Sequence, residues 1–168
     1  MKYFLSSLLL CLVLVGCSYK PSSYYAKSAI VGKVYVDLKV DIENAQNSVS
    51  VKDATNEMIL NQFDAILTDK KEEADSLVSV YLSKVSHGSL STGDDGYTKS
   101  YRTTVTIVMT YQKVGENRKR LTVSDYYDYT VNNDSVITNQ KKKIAVKIAS
   151  EKALSSLFSK IAVYNMKD

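Results

Sequence analysis

The sequence has 168 residues, with 22 lysines and arginines against 18 aspartates and glutamates, a formal net charge of +4. This length fits one domain with a core of its own, and the mildly basic balance does not indicate bulk binding of nucleic acid. A single proline argues against a disordered chain. The 13 tyrosines combine an apolar ring with a hydroxyl group, which suits interfaces.

The amino terminus has the pattern of a secretory signal peptide. Lys2 precedes about a dozen mostly apolar residues, fewer than the roughly 20 that a transmembrane helix needs. The stretch ends in LVGC at 14–17, which resembles the bacterial lipobox. The resemblance implies that residues 1–16 are removed and that Cys17 carries a thioether-linked diacylglycerol as the mature N-terminus. An uncleaved anchor helix with two incidental cysteines and a secreted protein without lipid are the alternatives.

Removal of residues 1–16 also removes Lys2 and Cys11, which leaves 21 basic against 18 acidic residues, or +3. Cys17 is then the only remaining cysteine, so no disulfide can form within the mature chain. Packing must therefore supply the stability. Residues 17–32 are serine-rich and lack periodicity, and we predict a lipidated N-terminus and tether there. Residues 33–168 are predicted to form a single domain.

The first two predicted elements differ in their hydrophobic period. Apolar and polar residues alternate over 33–42, which predicts a half-buried strand. Over 50–67 the apolar residues recur at helical spacing. Ser50 and Asp53 have the spacing of a capping box at the start of a helix. We therefore predict a helix that begins near Ser50.

Three further strands and a closing helix complete the predicted order. The strands are predicted at 74–87, 98–114 and 120–131, and a loop rich in glycine, serine and aspartate at 88–97 joins the first two. Residues 138–164 are predicted to be helical. Their expected apolar stripe comprises Ile144, Ile148, Leu154, Leu157, Phe158 and Ile161.

This order predicts a two-layer α+β sandwich. The sheet should have four strands and be mixed, mostly antiparallel, with two helices on one face in the order β-α-β-β-β-α. Three consecutive strands with short links form a meander, and the first strand joins it through a helical crossover.

The sequence offers no catalytic constellation, and we expect neither a metal nor a cofactor. His87 is the only histidine and has no ligand partner at short spacing, so we expect an exposed turn residue. The GDDG run at 93–96 lacks the alternating acids of a calcium loop and is expected at a hairpin tip. Asp125 and Asp128 would point to opposite faces of one strand. Asp125 shares the parity of the apolar residues, so it could lie at a layer edge, pair with a lysine or bind a ligand.

Two basic clusters are candidates for binding, although a solvated surface is the alternative for each. One surrounds the second hairpin turn and comprises Lys113, Arg118, Lys119 and Arg120. Arginines at such a tip can contact phosphates with two parallel hydrogen bonds. The other, Lys141 to Lys143, opens the last helix, where cations oppose the helix dipole.

The lipobox opening "GCSYKP" at 16–21 and the element order together resemble the LPS-assembly lipoprotein family (LptE-like). Members often begin the mature chain with cysteine, a small residue and an aromatic residue, here Cys17, Ser18 and Tyr19. The resemblance extends over nearly the whole chain, but it lies in the layout and the N-terminal motif.

The resemblance implies an outer-membrane lipoprotein on the periplasmic side, held by its lipid anchor. It would plug a large β-barrel LPS-assembly protein (LptD-like) and help to place lipopolysaccharide, without enzymatic activity. By position alone, Arg118, Lys119 and Arg120 are the predicted lipopolysaccharide-binding residues. Arg102 and the loop 88–97 are secondary candidates.

Two other functions are compatible with the same sequence. The chain could be a periplasm-facing lipoprotein adaptor of another envelope assembly or secretion system, which would have different partners. It could also be an enzyme such as a cell-wall hydrolase, but the sequence supplies no nucleophile and base for one.

Overall fold

The computed structural model describes residues 22–39, 45–93, 98–131 and 138–166. The helices are α1 (Ser22–Lys27), α2 (Ala45–Gln62) and α3 (Asn139–Asn165), with a short 3-10 helix at Lys71–Glu73. The strands are β1 (Lys33–Lys39), β2 (Ile66–Leu67), β3 (Ser76–Thr92), β4 (Thr98–Lys113) and β5 (Lys119–Thr130). The predicted signal peptide at 1–16 and Cys17 lie outside the described residues.

The strands form one mixed sheet in the order β2-β1-β3-β4-β5. β1 runs parallel to both β2 and β3, whereas β3, β4 and β5 form an antiparallel meander. The α+β class, the mixed sheet and the meander are therefore confirmed. The predicted numbers of strands and helices are wrong, because the described part of the chain has five strands and three α-helices.

The additional strand β2 lies where the helix predicted at 50–67 was expected to continue. α2 instead ends at Gln62, and Asp64 adopts a left-handed backbone with φ of 58°. A left-handed residue just after a helix stops it and turns the chain away. The Ile66 N–H then donates to the Gly32 carbonyl at 3.0 Å, which aligns β2 with β1.

The predicted capping box at the start of this helix is also wrong. α2 begins at Ala45, so Ser50 and Asp53 lie inside it. α3 does have a side-chain cap, because the Thr138 hydroxyl accepts a hydrogen bond from the Lys141 N–H at 3.3 Å. This cap satisfies one of the N–H groups that a helix start leaves unpaired.

The additional helix α1 corrects the tether predicted over 17–32, of which the structure describes residues 22–32. α1 packs against α3, and the two residues Ala26 and Ile30 are fully buried. The folded domain therefore begins before residue 33.

The link between α1 and β1 is fixed by a turn at Gly32. Gly32 has φ of 66°, and a side chain there would collide with the Asp75 carboxylate. That carboxylate accepts a hydrogen bond from the Lys33 N–H at 2.8 Å. The Ser76 hydroxyl beside it accepts from the Val31 N–H at 3.0 Å and donates to the Val31 carbonyl at 2.9 Å. These bonds join the α1 segment to the start of β3.

Replacing Gly32 with alanine is therefore expected to lower the free energy of unfolding. The left-handed backbone alone costs a residue with a side chain about 1–3 kcal/mol, and the collision with Asp75 adds to that cost. Gly88→Ala is the matched control, since a methyl group there meets no atom within 4 Å. Urea unfolding of both variants measures the difference. Equal midpoints for Gly32→Ala and Gly88→Ala would contradict this account of the turn.

The core lies between the sheet and the three helices. From the sheet it takes the predicted inward side chains of β4, including Val105, Ile107 and Met109, all fully buried. From α3 it takes Leu154, Leu157 and Ile161, as predicted. The predicted stripe is wrong at Ile144, whose side chain is 50% exposed. The buried side of α3 near its start consists instead of Val146 and four small residues, namely Ala145, Ala149, Ser150 and Ala153.

No helix within the described ranges combines the length and the apolar character that crossing a membrane requires.

Candidate interaction surface

All three helices cover the same face of the sheet, and no described element covers the other, which we call the open face. Its side chains alternate with the core residues and are mostly hydroxyl-bearing. They include Tyr35, Ser79, Tyr81, Thr104, Thr106, Thr110, Thr122, Ser124 and Tyr126. The open face is therefore polar and contains several tyrosines.

The open face contains a groove of about 240 Å³ where β1, β3 and β4 lie side by side. Three cationic side chains line it, namely Lys39, Lys71 and Arg118, with Asp37 as its one carboxylate among the described lining residues. The Arg118 guanidinium is positioned by the Gln112 side chain, which accepts a hydrogen bond from Nε at 3.1 Å. The excess of positive charge suits an anionic group.

The three predicted lipopolysaccharide-binding residues do not share one surface. Arg120 lies opposite Thr110 and faces the open side, and Arg118 lines the groove. Lys119 points to the helix layer, because neighbouring residues of a strand face opposite ways. Its ammonium group donates to the Asn165 Oδ1 at 2.9 Å and lies 5.0 Å from the centre of the Tyr164 ring. Lys119 therefore contacts the end of α3.

The secondary candidate Arg102 is held in an ion pair on the open face. Its Nε and one terminal nitrogen donate to the two carboxylate oxygens of Asp128, both at 2.7 Å, and its guanidinium lies 3.7 Å from the centre of the Tyr126 ring. The hydrogen bonds from Arg102 hold the pKa of Asp128 below its usual range. Arg102 therefore already has a carboxylate partner.

The other secondary candidate, the loop 88–97, is shorter than predicted. Residues 88–92 belong to β3, so the prediction of a loop there is wrong, and 94–97 lie outside the described residues. The β3–β4 pairing continues to Thr92 opposite Thr98. The GDDG run at 93–96 lies almost entirely outside the described part.

Asp125 lies at the edge between the sheet and the helix layer, which is one of the three alternatives that the sequence left open. Its Oδ1 accepts from the Tyr126 N–H at 2.8 Å, and its Oδ2 accepts from the Ser156 hydroxyl on α3 at 3.1 Å. Asp128 faces the opposite way, as predicted. Among the described residues no group of three histidine, cysteine or acidic side chains could hold a metal ion.

The second basic cluster, Lys141 to Lys143, opens α3, whose first turn has no acidic residue. Lys142 and Lys143 line a concavity of about 430 Å³ together with Asn47 of α2. Lys142 also lies near His87, which is exposed as predicted but sits within β3 and not in a turn. The His87 Nδ1 forms a hydrogen bond with the Thr103 hydroxyl at 2.8 Å.

Although His87 is exposed as a residue, its ring is partly covered where it bonds to Thr103. This partial desolvation is the larger cause that lowers the pKa of His87, and the positive charge of Lys142 is the second. His87 should therefore stay neutral in the folded state at a pH where a free imidazole begins to protonate. Protonation then favours the unfolded chain, so stability should decrease as the pH falls below about 6.5 and through the folded-state pKa.

This shift can be measured directly, because His87 supplies the only imidazole resonances of the chain. An NMR titration is expected to give a midpoint below the usual histidine value. Lys142→Ala should raise the midpoint, whereas Lys147→Ala, which removes the partner of Glu151, should leave it unchanged. A midpoint at or above about 6.5 would contradict the described environment of His87.

Sequence reasoning missed most of the groove. Tyr35, Asp37 and Lys39 were placed correctly on one face of the first strand, but nothing in the sequence showed which strand lies beside it. Lys71 lies in a 3-10 helix that was not predicted. The alternation of apolar and polar residues in β1 showed which side chains share a face. It did not show the groove, because the groove also depends on which strands lie beside β1.

The sequence matches no family model and no curated protein. The fold does match solved structures. The rare lipoprotein B of Shewanella oneidensis superposes with a TM-score of 0.53 at 12% identity, over 80% of this chain and 97% of that chain. The uncharacterized lipoprotein B of Nitrosomonas europaea gives 0.54 at 8% identity, over 82% of this chain and 86% of that chain.

The chain has the fold of these two lipoproteins. At such low identity the likeness is one of fold alone. It extends over nearly the full length of the Shewanella protein.

Proposed function

We propose that this chain is a non-enzymatic outer-membrane lipoprotein, anchored by lipid at Cys17, that plugs a β-barrel LPS-assembly protein from the periplasmic side. In this role it supports the barrel and assists the placement of lipopolysaccharide in the outer leaflet. The observation that carries the proposal is the match of the whole domain to the rare lipoprotein B fold. The LVGC motif at 14–17 supports it independently.

The open face supports the proposal on chemical grounds. The interior of a large membrane β-barrel is polar, because its strands place apolar side chains toward the lipid and polar ones inward. A face rich in threonine, serine and tyrosine hydroxyls can form hydrogen bonds with such a wall. The same residues would be poorly suited to contact lipid chains. The open face is therefore the part of the domain that we place against the barrel.

The lipid at Cys17 supplies the membrane attachment. Each buried methylene contributes about 0.8 kcal/mol, so two or three acyl chains hold a protein on a bilayer where a single chain does not. The domain itself begins with α1 at Ser22, a few residues after Cys17. The short separation keeps the domain close to the membrane surface.

Lipopolysaccharide phosphates are the proposed anionic ligands of Arg118 and Arg120, which both lie on the open side. Exposed ion pairs contribute up to about 1 kcal/mol each. Arg118→Ala and Arg120→Ala are therefore each expected to weaken binding of purified lipopolysaccharide by up to about fivefold. Lys119→Ala should leave that affinity unchanged, because Lys119 contacts Asn165. A loss of affinity confined to Lys119→Ala would contradict this assignment.

Co-purification tests the proposed partner. The full chain, carrying an affinity tag at its C-terminus, is extracted from membranes in detergent, and the retained proteins are identified by mass spectrometry. We expect a β-barrel protein of much larger mass with the wild type, and far less of it with Cys17→Ala. Depletion of the chain should also reduce lipopolysaccharide at the cell surface.

Two results would overturn the proposal. Recovery of the lipoprotein alone, together with normal surface lipopolysaccharide after its depletion, would remove both the partner and the role. Stoichiometric recovery of components of another envelope assembly would instead indicate the adaptor function.

A further inference from the structure

Three segments meet at one end of the domain, which we call the α1 end. Residues 28–29, which follow α1, the turn between β4 and β5 at 113–119 and the last turn of α3 line one concavity of about 190 Å³ there. The Lys119 ammonium group links β5 to α3 through its hydrogen bond to Asn165. The Val114 N–H donates to the Asp75 carbonyl at 2.9 Å, which ties the turn to the start of β3. These contacts fix the three segments relative to one another.

The residue that carries the lipid in the proposed function is within reach of the α1 end only. Cys17 precedes the first residue of α1 by five residues, which reach at most about 18 Å. The six residues of α1 add about 9 Å. β4 has 16 residues, which extend about 54 Å from the opposite end of the sheet to the α1 end. A bilayer that holds the lipid is therefore next to the α1 end.

The α1 end exposes large apolar side chains on all three segments. Those that are between 46% and 62% exposed on these segments are Tyr24, Val114, Val163, Tyr164 and Met166. Val163 and Tyr164 also line a second concavity, of about 350 Å³, together with Leu121. A single exposed apolar residue is ordinary, but a group of them at one site marks a surface that contacts a protein or a membrane.

The chemistry of this surface suits phospholipid better than the polar inner wall of a barrel. A tyrosine such as Tyr164 can place its ring against acyl chains and its hydroxyl in water. Lys160 lines the same concavity as Val163, and the turn at 113–119 carries three positive charges against one negative. Lysine and arginine lay their methylenes along apolar surface while their charges meet headgroup phosphates. A polar barrel wall would leave the apolar side chains without partners.

We propose that the α1 end is a membrane-contacting surface, which rests on phospholipid headgroups and inserts Val163, Tyr164 and Met166 among the upper acyl chains. The inference rests on the lipid anchor of the proposed function and goes beyond it, because an anchor alone leaves the domain free to tilt. With the α1 end on the bilayer, α3 points away from the membrane, and its 27 residues extend about 40 Å. The open face then looks sideways, toward a partner in the same membrane.

Fluorescence on vesicles tests the contact, because the chain has no tryptophan of its own. The full lipidated chain is reconstituted in vesicles of phosphatidylethanolamine and phosphatidylglycerol whose acyl chains carry bromine, which quenches tryptophan at short range. Val163→Trp places the probe at the α1 end. Ile144→Trp is the matched control, because Ile144 is 50% exposed and lies on the same helix, about 29 Å from Val163. We expect Val163→Trp to lose fluorescence on these vesicles and Ile144→Trp to keep it.

A second measurement asks whether the apolar side chains make the contact. Met166→Asp, added to Val163→Trp, should reduce the quenching by brominated lipid, because a carboxylate is costly to bury among acyl chains. Val49→Asp is its control, since Val49 is 59% exposed on α2, and this change should leave the quenching as it was. Val114→Trp serves as the probe if Val163→Trp loses its circular dichroism spectrum. Flotation of the vesicles reports separately whether the anchor holds the chain.

The outcomes separate this inference from the proposed function. A chain that floats with the vesicles while Val163→Trp and Ile144→Trp show equal quenching, or none, overturns the contact and leaves the anchor intact. Quenching that Met166→Asp does not change shows that the apolar side chains do not insert, which also overturns it. A probe at position 163 that iodide quenches on vesicles, but not in the co-purified complex, assigns the α1 end to the protein partner instead. A chain that does not float removes the anchor and this inference together.

Discussion

Replacing Ile30 with alanine is expected to lower the free energy of unfolding by about 2–5 kcal/mol, the usual range for a fully buried isoleucine. Ile30 is 0% exposed and belongs to the same core cluster as the sheet residues. The lost methyl and methylene groups leave a cavity in this core cluster. This effect is large compared with the typical stability of a domain, about 5–15 kcal/mol.

The neighbouring residue supplies the control for this prediction. Val31 is 37% exposed, and its replacement by alanine is expected to change the free energy of unfolding by no more than about 0.5 kcal/mol. Urea unfolding of both variants, followed by circular dichroism, gives the comparison. If residues 17–32 were only a tether, Ile30→Ala would behave like Val31→Ala, and the boundary of the domain would return to residue 33.

On the proposed function, replacing Cys17 with alanine is expected to abolish the lipid modification and, with it, attachment of the chain to the outer membrane. Without the thiol there is no sulfur to which a diacylglycerol can be attached. The acyl chains would supply about 0.8 kcal/mol for each buried methylene, so their loss should release the chain from the membrane.

Intact-mass analysis and membrane fractionation measure this effect. The wild-type protein should have the mass of residues 17–168 plus the lipid, and it should fractionate with the outer membrane. Cys17→Ala should lack the lipid mass and the outer-membrane location. Cys11→Ala is the matched control, because Cys11 lies within the predicted leader and should be lost with it. A wild-type protein whose mass lacks the lipid would refute the proposal that Cys17 anchors the chain.

The meander could be predicted from the sequence because each of its strands buries one face. Val105, Ile107 and Met109 alternate with residues of the other face, three of which are threonines, and a slip of one residue would move all three core side chains to that face. The period of the pattern therefore determines both the element and its inward face. The closing helix was found in the same way, through Leu154, Leu157 and Ile161.

The two missed elements lack such a pattern. α1 is six residues long, and its buried positions are small, apart from Ile30 just after it. β2 has two residues and depends on a left-handed backbone at Asp64. A short helix that buries mainly alanines leaves no clear hydrophobic period in the sequence. A single left-handed residue leaves none either.

The candidate surface was predicted only in part. It depends on the order of the strands in the sheet and on which side of the sheet each side chain faces. The groove joins side chains from Tyr35 to Arg118, and they meet because β1 inserts parallel to β3. The alternation of side chains along a strand also explains why Lys119 lies apart from the other two residues. The cluster was treated as one turn, yet β5 begins at Lys119, so Lys119 and Arg120 face opposite sides.

Site-specific photo-cross-linking in living cells tests the central claim most directly. A benzophenone-bearing residue replaces Thr106 at the middle of the open face, and Lys147 on the exposed side of α3 serves as the second position. The account predicts an adduct at position 106 that contains a β-barrel protein and has a mass far above twice that of the chain. An anchored chain that gives no such adduct from position 106 would contradict it.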